Sequence, residues 1–376
     1  MIQYSVGYRG VDLDIKQICD LFSIDGQYVD SHELNTGIIN NTYFAKYLRD
    51  GVDKNYILQR INKKVFTEPE KVMENIVRVT NYVRERIEEN NMSSKKFVLR
   101  AFLSRSSGKP FVIDKEGEYW RCYRFIPNSV TYDTVSDGKI IEGVGTAFGR
   151  FQNLLDGFDA NLLHVTIPNF HNTVKRYEKF KSVIKEDSIG KVKEVKTEIE
   201  KLLSFEGKAT KLQKYLDAEM LPLRVTHNDT KCNNVSFDKD TGEALAVLDL
   251  DTVMAGAIAY DFGDAIRFIA NTLLEDDPNY DGVLLDESKY EAFTKGFITQ
   301  VKGSLTEIEK QTMNLGVFTM TVELAVRFLT DYVSGENYFK IKYPEHNLVR
   351  TRNQIALAED IIRKEKNLDD IISKYL

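Results

Sequence analysis

The chain has 376 residues, of which 42% are hydrophobic and 29% are charged, a balance typical of a globular protein with room for two lobes. Its 51 Lys and Arg residues against 57 Asp and Glu residues give a formal net charge of −6, which argues against broad electrostatic binding of nucleic acid or anionic membrane. No apolar run reaches the ~20 residues of a membrane span, and residues 1–10 lack the apolar core of a signal peptide. Three scattered cysteines, Cys19, Cys122 and Cys232, predict neither a disulfide framework nor a zinc site. We therefore expect a cytoplasmic monomer or weak homo-oligomer that binds neither nucleic acid nor membrane.

The N-terminal third of the chain is predicted to form short strands around one helix. Strand-like runs at 43–48 and 56–61 flank one turn, runs at 111–114 and 119–126 flank another, and residues 97–103 predict a further strand. One helix is predicted by apolar residues spaced three and four apart, namely Val72, Ile76, Val79, Val83 and Ile87.

After residue 128 the pattern becomes mostly helical. Apolar stripes at helical spacing run through 141–158, 170–184, 192–203 and 211–220, and helices resume from Asp261 to the end. A β-rich island at 224–253 interrupts these helices. The expected fold is therefore α+β and bilobal, with a small β-rich N-lobe over 1–127 and a larger helical C-lobe over 128–376 that contains a catalytic hairpin.

The β-rich island carries the candidate chemistry. A turn at 239–242 separates two strand-like runs, and pairing them places Asn234 opposite about residue 247. Asp249 is then expected a residue or two further along, on the order of 7 Å from Asn234 at ~3.4 Å per residue. An amide oxygen and a carboxylate at that separation suit Mg²⁺, which prefers few protein ligands together with phosphate oxygens and water. Asp229 precedes the hairpin, where it could accept a proton or orient a hydroxyl.

The spacing of these residues favours phosphoryl transfer. His227, Asp229 and Asn234 form a His-x-Asp-x-x-x-x-Asn pattern, and Asp249 follows at a strand end, as in protein-kinase-like enzymes. Lys231 occupies the position of a lysine that contacts the transferred phosphate. Each residue alone has a structural explanation, since Asx side chains form turns and a histidine can simply pack. Their combination at this spacing favours a kinase.

Nucleotide-binding residues are expected in the N-lobe. A loop with a single glycine precedes the first hairpin, and the third strand has Gln59 and Arg60 where a phosphate-binding lysine is usual. Either Arg60 supplies the charge, or Gln59 contributes neutral donors and Lys231 the charge. An interlobe linker could offer backbone groups to adenine. The residues expected at the nucleotide are Gly37, Asn40 and Thr42 of the loop, Arg60 of the strand, and Phe125, Ile126 and Pro127 of the linker.

The stretch 260–264, Tyr-Asp-Phe-Gly-Asp, does not predict the metal site, because Asp249 already has the appropriate spacing. We expect Asp261 to cap the helix that follows it, with Asp264 in the supporting third position. Asp261 could also brace the catalytic loop.

At 227–234 and 249–252 the sequence resembles the aminoglycoside phosphotransferase and choline kinase superfamily. Longer stretches are similar to the N-acetylhexosamine 1-kinases of that superfamily, at 56–62, 120–126, 223–231, 260–268, 327–332 and 343–352. The resemblance implies a protein-kinase-like fold and an ATP- and Mg²⁺-dependent kinase. Its acceptor would be the C1 hydroxyl of N-acetylglucosamine or N-acetylgalactosamine.

The same resemblance implies roles for individual residues. Asp229 is the expected base, Asn234 and Asp249 hold magnesium, and Arg327 and Tyr338 contact the sugar. From the residues alone, the preferred interpretation of Arg327 and Tyr338 is a polar latch between C-terminal helices. One departure is Ile38, which stands where the family has a histidine and bears on the preference between sugar epimers.

Two alternatives remain. The first is a kinase of another small hydroxyl acceptor, such as a different hexose, an aminoglycoside, choline or homoserine. The second is a nucleotide-binding module without catalysis, which the thin loop and the missing lysine favour and the complete set of Asp229, Asn234 and Asp249 opposes.

Overall fold

The computed structural model describes residues 14–34, 39–92, 99–336 and 338–376. The chain divides into two compact units, one formed by Met1–Val77 with Leu99–Pro127 and the other by Arg78–Val98 with Asn128–Leu376. The predicted α+β composition, β-rich at the N-terminal end and helical at the C-terminal end, is confirmed. Over the described ranges no helix is long and apolar enough to cross a membrane.

An antiparallel sheet dominates the described part of the first unit. Helix α1 (Ile15–Asp20) precedes its strands, and the strand order is β1-β2-β4-β6-β5, with β3 paired to β2. The strands are β1 (Gln27–Leu34), β2 (Asn41–Arg49), β3 (Val52–Asp53), β4 (Tyr56–Arg60), β5 (Val112–Ile113) and β6 (Tyr119–Arg124). Leu58 on β4 and Trp120 and Cys122 on β6 are fully buried, and they share a core cluster with Ile18 and Cys19 of α1.

Two elements outside this pattern complete the N-terminal third. The predicted helix is present as α2 (Pro69–Glu89). The predicted strand at 97–103 is wrong over its described part, 99–103, where only an isolated bridge joins Ala101 to Tyr123. Residues 97 and 98 lie outside the described residues. A run that makes one bridge without a continuous ladder does not form a strand, whatever its propensity.

Long helices form most of the second unit. They are α3 (Gly138–Leu154), α4 (Thr173–Glu186), α5 (Lys196–Ala209), α6 (Lys211–Asp217), α7 (Ile258–Ile269), α8 (Glu287–Val301), α9 (Glu307–Ser334) and α10 (His346–Tyr375). The β-rich island and a short earlier strand form two small antiparallel sheets, β7-β9-β10 and β8-β11. The strands are β7 (Ser129–Val130), β8 (Arg224–Thr226), β9 (Val235–Asp238), β10 (Ala244–Val247) and β11 (Met254–Gly256).

Helices α7 and α9 approach each other closely at glycines. A Cβ atom on Gly263 would lie 2.3 Å from the carbonyl oxygen of Gly316, and one on Gly316 would lie 2.1 Å from that of Ala259. Any side chain at either position would therefore force the helices apart. The backbones of the two helices are therefore in direct contact near the start of α7.

Candidate active site

A loop at 227–234, between β8 and β9, carries the predicted catalytic residues, and Asp261 anchors it. The two carboxylate oxygens of Asp261 accept hydrogen bonds from the backbone N–H groups of His227 and Asn228, each at 2.8 Å. The side-chain amide of Gln152 donates to the same carboxylate at 2.6 Å. Burial raises the pKa of Asp261, and these N–H donors and His227 act in the opposite direction.

The prediction that Asp261 caps a helix is wrong, whereas its bracing of the loop is confirmed. Helix α7 begins at Ile258 after Ala257, so Asp261 lies inside its first turn and its side chain leaves the helix for the loop. Asp264 has a parallel role, because it accepts a hydrogen bond from the backbone N–H of Thr230 at 3.0 Å. Sequence spacing could not reveal these two roles, because the backbone N–H groups that Asp261 and Asp264 bind lie more than 30 residues earlier in the chain.

His227 packs and positions the loop. Its Nε2 donates to the carbonyl of Leu248 at 2.8 Å, and its Nδ1 accepts from the backbone N–H of Asp229 at 3.2 Å. These two contacts require the neutral tautomer with the proton on Nε2. Asn228 adds a left-handed turn, with φ of 64°, and its side chain donates to the carbonyl of Thr252 at 2.8 Å.

The structure brings Asp229, Lys231 and Asn234 together. The ammonium group of Lys231 lies 2.7 Å from Oδ1 of Asp229. The amide nitrogen of Asn234 donates to Oδ2 of Asp229 at 3.2 Å and to its carbonyl at 2.9 Å. Burial acts to lower the pKa of Lys231, but the charges of Asp229 and Asp264 outweigh it and leave the pKa raised. Lys231 is therefore positively charged beside the Asp229 carboxylate.

Asp249 follows the hairpin strand that pairs with the segment containing Asn234. Val247 is the register partner of Val235, and the backbone N–H of Leu248 donates to the carbonyl of Asn234 at 2.8 Å. Asp249 is the next residue, in the left-handed region with φ of 55°. The predicted register, with Asn234 opposite residue 247, differs from the observed one by a single residue.

The donor set at this hairpin fits Mg²⁺. Because the amide nitrogen of Asn234 donates to Asp229, its amide oxygen faces away from those acceptors, and an amide oxygen with a carboxylate is the hard-oxygen chemistry that Mg²⁺ prefers. Within the described ranges no group of three or more His, Cys, Asp or Glu side chains is arranged to hold a metal. The candidate magnesium site therefore consists of one amide and one carboxylate, Asn234 and Asp249.

The nucleotide-binding predictions concern the first unit, and Gly37 lies outside the described residues. Asn40 and Thr42 are buried. Asn40 accepts a hydrogen bond from the backbone N–H of Asn62 at 3.0 Å, and Thr42 accepts one from the amide of Gln59 at 3.1 Å. These contacts order the start of β2, which follows the single-glycine loop.

Arg121 on β6 is a residue to which the sequence assigned no role. Gln59 and Arg121 are register partners in the β4–β6 ladder, and Nε of Arg121 donates to the side-chain oxygen of Gln59 at 2.9 Å. Arg121 is 1% exposed. Arg60, by contrast, points to its own partner Asn41, 2.9 Å away. The register of β4 against β6 would have predicted that Gln59 lies beside the buried Arg121.

The predicted linker ends the first unit. The backbone N–H of Phe125 donates to the carbonyl of Asn55 at 2.9 Å, and its ring packs edge-on against Phe44 with centroids 5.3 Å apart. Pro127 is exposed and is the last residue of the first unit. Nothing in these contacts identifies the backbone groups of Ile126 or Pro127 as nucleotide ligands, so that role stays a prediction.

Arg327 and Tyr338 lie together in an aromatic cluster. Arg327, on α9, is 8% exposed, and its guanidinium carbon lies 5.4, 5.3 and 5.1 Å from the ring centroids of Phe170, Tyr338 and Phe339. Tyr338 is 59% exposed. A cation surrounded by rings, one of them open to solvent, suits a ligand with both hydroxyls and an apolar face. It is equally a stable packing arrangement between C-terminal elements.

Comparison with known proteins agrees with this geometry. The sequence model of the APH phosphotransferase enzyme family matches residues 32–292. In fold, the chain is similar to a microcompartment-associated aminopropanol kinase, at 16% identity and a TM-score of 0.61, over 94% of this chain and 98% of that one. It is also similar to a choline kinase from Cryptosporidium parvum Iowa II, at 13% identity and 0.55, over 95% and 96%.

A third similar structure is a spectinomycin phosphotransferase in complex with ADP and spectinomycin, at 13% identity and a TM-score of 0.54, over 92% of this chain and 98% of that one. At such identities the likeness concerns the fold alone. The predicted protein-kinase-like α+β fold is confirmed by it.

Proposed function

Since the chain belongs to the APH phosphotransferase enzyme family, we propose that it is a kinase that transfers the γ-phosphate of ATP to the C1 hydroxyl of an N-acetylhexosamine. The products are ADP and the 1-phosphate of N-acetylglucosamine or N-acetylgalactosamine. One observation carries the catalytic part of this proposal. The carboxylate of Asp229 is held between the Lys231 ammonium and the Asn234 amide, on a loop anchored at consecutive N–H groups.

Asp229 serves as the base. Its carboxylate orients the acceptor hydroxyl and receives its proton as that oxygen attacks the γ-phosphorus in line and ADP leaves. An anomeric hydroxyl is more acidic than an ordinary alcohol, so a carboxylate held in one orientation is a sufficient base. Most of the rate acceleration comes from positioning and from neutralisation of phosphate charge.

Positive charge near the phosphates comes from Lys231 and from magnesium. Asn234 and Asp249 would hold Mg²⁺, which when bound neutralises the phosphate oxygens. Lys231, paired with Asp229 at 2.7 Å, can exchange part of that contact for a phosphate oxygen without leaving its position. The residues proposed to bind the rest of the nucleotide are Gly37, Asn40, Thr42, Arg60, Phe125, Ile126 and Pro127.

The acceptor site is proposed at Arg327 and Tyr338. A sugar combines hydroxyls, which need fixed polar partners, with ring faces that stack on aromatic side chains. The guanidinium of Arg327 among three rings offers both kinds of contact. A cationic acceptor such as choline or an amino alcohol would meet the positive charge of Arg327 in the same cluster. The carboxylates of Glu323 and Asp331 offset part of this repulsion, so the choice of a neutral sugar rests on the sequence resemblance and is decided by the acceptor panel.

The test is magnesium-dependent ADP release with a panel of acceptors, with the position of the new phosphate read by NMR. The panel contains N-acetylgalactosamine, N-acetylglucosamine, galactose, glucose, choline, 1-amino-2-propanol and kanamycin. Phosphate on C1 of an N-acetylhexosamine supports the proposal. Turnover restricted to choline, the amino alcohol or kanamycin contradicts the sugar assignment but keeps the kinase. Bound ATP with no turnover of any acceptor favours a module without catalysis.

Two variants locate the acceptor. We expect Arg327→Gln and Tyr338→Ala each to raise the KM for the sugar about tenfold or more, with the KM for ATP changed less than about twofold. Tyr343→Ala is a matched control, because Tyr343 is an exposed tyrosine in the same C-terminal region. An unchanged sugar KM in both variants would mean that Arg327 and Tyr338 are only a packing contact.

A further inference from the structure

A buried pair, His171 and Glu323, connects the Arg327 cluster with the catalytic loop. Glu323 lies on α9 one turn before Arg327, and its side chain is fully buried. Its Oε1 is shared, because Nδ1 of His171 lies 3.0 Å from it and Nη1 of Arg327 lies 3.5 Å from it. The other oxygen, Oε2, has no donor among the described residues. His171 and Arg327 are therefore the direct contacts of this carboxylate among the described residues.

His171 continues the connection to the loop. Its second ring nitrogen, Nε2, lies 3.3 Å from the carbonyl oxygen of Asn228. A carboxylate and a carbonyl are both acceptors, so the ring satisfies both contacts when each nitrogen carries a hydrogen. Burial by itself raises the pKa of Glu323, but the charges of His171, Arg327 and Arg176 outweigh burial and hold that pKa below its usual range.

The carbonyl that His171 contacts belongs to the peptide bond that leads into Asp229. Asn228 is in the left-handed region, its N–H is held by Asp261 and its side chain by Thr252. The 228–229 peptide plane is restrained at both of its polar groups, since the carbonyl of Asn228 contacts Nε2 of His171 and the N–H of Asp229 donates to Nδ1 of His227. Rotating that plane would turn the Asp229 carboxylate away from an acceptor hydroxyl.

The segment that carries His171 is itself held in place. Arg176, in the first turn of α4, donates to the carbonyl of Phe170 through Nη2 at 2.8 Å. The rings of Phe170 and His171 have centroids 4.4 Å apart, and the ring of Tyr260 lies 5.5 Å from His171 on another side. Because this packing restricts movement of the imidazole, a change in the hydrogen bonding of Glu323 is expected to alter the hydrogen bond of His171 to the loop.

We propose that His171 and Glu323 are positioning residues that couple engagement of the acceptor at Arg327 to the orientation of Asp229. When Arg327 turns toward a bound acceptor, its share of the Glu323 oxygen changes, and the hydrogen bond of His171 to Asn228 responds. This inference rests on the proposed function, which places the acceptor at Arg327 and the base at Asp229. It adds that the two are energetically linked.

The experiment compares His171→Phe, Glu323→Gln and the control Thr321→Val in the full chain. Phenylalanine keeps the aromatic packing but has no donor. Glutamine at 323 can donate to Nδ1 of His171, so that Nε2 still donates to Asn228. Thr321 is buried on the same helix and bonds only within it, to the carbonyl of Val317 at 2.8 Å.

The steady-state result expected is a split between kcat and KM. His171→Phe lowers kcat about 30- to 100-fold and leaves the KM for ATP within about twofold. Glu323→Gln loses less than about tenfold, a rescue by the conservative variant, and Thr321→Val matches the wild type within about twofold. A normal kcat for His171→Phe overturns the proposal, and so does an equal loss for Thr321→Val, which would indicate a packing effect.

Coupling is measured by combining His171→Phe with Arg327→Gln. If the two residues act through one connection, the decrease in kcat caused by Arg327→Gln is largely absent in the His171→Phe background. Additive effects on kcat overturn the coupling.

A readout without any acceptor separates this inference from the proposed function. Backbone hydrogen exchange of peptides covering 224–234 is expected to be faster in His171→Phe than in the wild type, and unchanged in Thr321→Val. Faster exchange supports the role of His171 even if no sugar in the panel is phosphorylated. Unchanged exchange overturns it even if the sugar kinase activity is established.

Discussion

The ammonium group of Lys231 lies 2.7 Å from Oδ1 of Asp229. The two residues are separated by one position in the loop, between the left-handed Asn228 and a short helical turn at 232–234. The pair places a cation directly against the carboxyl group of the proposed base. It also means that Asp229 and Lys231 have distinguishable roles that substitution can separate.

Asp229→Asn is expected to abolish phosphoryl transfer, lowering kcat at least about 10³-fold, while ATP still binds. The amide has nearly the same shape, but it can accept from only one of the two donors, Lys231 or Asn234, and it cannot take the acceptor proton. The measurement combines ADP release with calorimetric titration of MgATP. Asp240→Asn, the same chemical change in the exposed turn of the hairpin, is the control. Near-normal turnover in Asp229→Asn would show that another group is the base.

Lys231→Met is expected to lower kcat about 10²-fold and to raise the KM for ATP, because a phosphate loses its cation. Lys231→Arg should recover part of the activity, since it keeps the charge in a different shape. Initial rates over a range of ATP concentrations give both constants. Lys239→Met, on the exposed turn nearby, should behave as the wild type. If Lys231→Met were fully active, charge neutralisation would have to come from other groups.

Asp261→Asn should destabilise the protein by about 2–4 kcal/mol, because a buried carboxylate that accepts from two backbone N–H groups and Gln152 becomes an amide with one acceptor atom. Activity should fall with it, since the loop loses its anchor. Denaturant unfolding gives the free energy of unfolding. Asp137→Asn is the control, because asparagine caps a helix as well as aspartate does. If Asp261→Asn unfolded at the same denaturant concentration as the wild type, Asp261 would not stabilise the loop.

Arg60 and Arg121 should respond differently to replacement by methionine. Arg60 contacts Asn41 near the surface, so Arg60→Met is expected to raise the KM for ATP about tenfold with an unchanged melting temperature. Arg121 is buried and donates to Gln59, so Arg121→Met should lower the melting temperature by several degrees and weaken nucleotide binding with it. If the KM for ATP were unchanged in Arg60→Met, Arg60 would not bind a phosphate of ATP.

His346 gives a pH dependence of stability with a definite sign. It is fully buried, and burial together with Arg350 lowers its pKa below the ordinary value of 6.5. The unfolded chain therefore binds this proton at higher pH than the folded one does. The contribution of neutral His346 is complete above pH 6.5 and declines as the pH falls below it, by at most about 1.4 kcal/mol per pH unit.

The measurement for His346 is the melting temperature between pH 7.5 and 5.5. We expect the wild type to lose more stability over this range than His346→Gln does, because glutamine cannot take up a proton. Asp276, which lies 3.1 Å from His346, does not titrate between pH 7.5 and 5.5, because its own pKa is lowered from 3.8. Equal losses in the two proteins would mean that other groups account for the acid sensitivity.

Much of the fold was predictable because its signals are local. The helical spacing from Val72 to Ile87 predicted α2, and the turn at 239–242 predicted the hairpin to within one residue of its register. The run at 97–103 failed for the opposite reason, since a strand needs a partner over several residues and the described part of this run makes one bridge to Tyr123.

The phosphotransferase class and the candidate residues could be read from the amino-acid order, because Asp229, Asn234 and Asp249 lie at fixed spacing along one loop and one hairpin. The contacts that hold them could not. Asp261 does not cap a helix but accepts hydrogen bonds from backbone N–H groups 33 and 34 positions earlier. The side chain of Gln59 contacts Arg121, 62 positions away, and His171 contacts Glu323, 152 positions away. A local pattern depends on nearest neighbours along the chain, whereas the partner of a buried charge depends on which helices and strands pack together. That packing is a property of the whole fold, and here it sets how the catalytic loop is held.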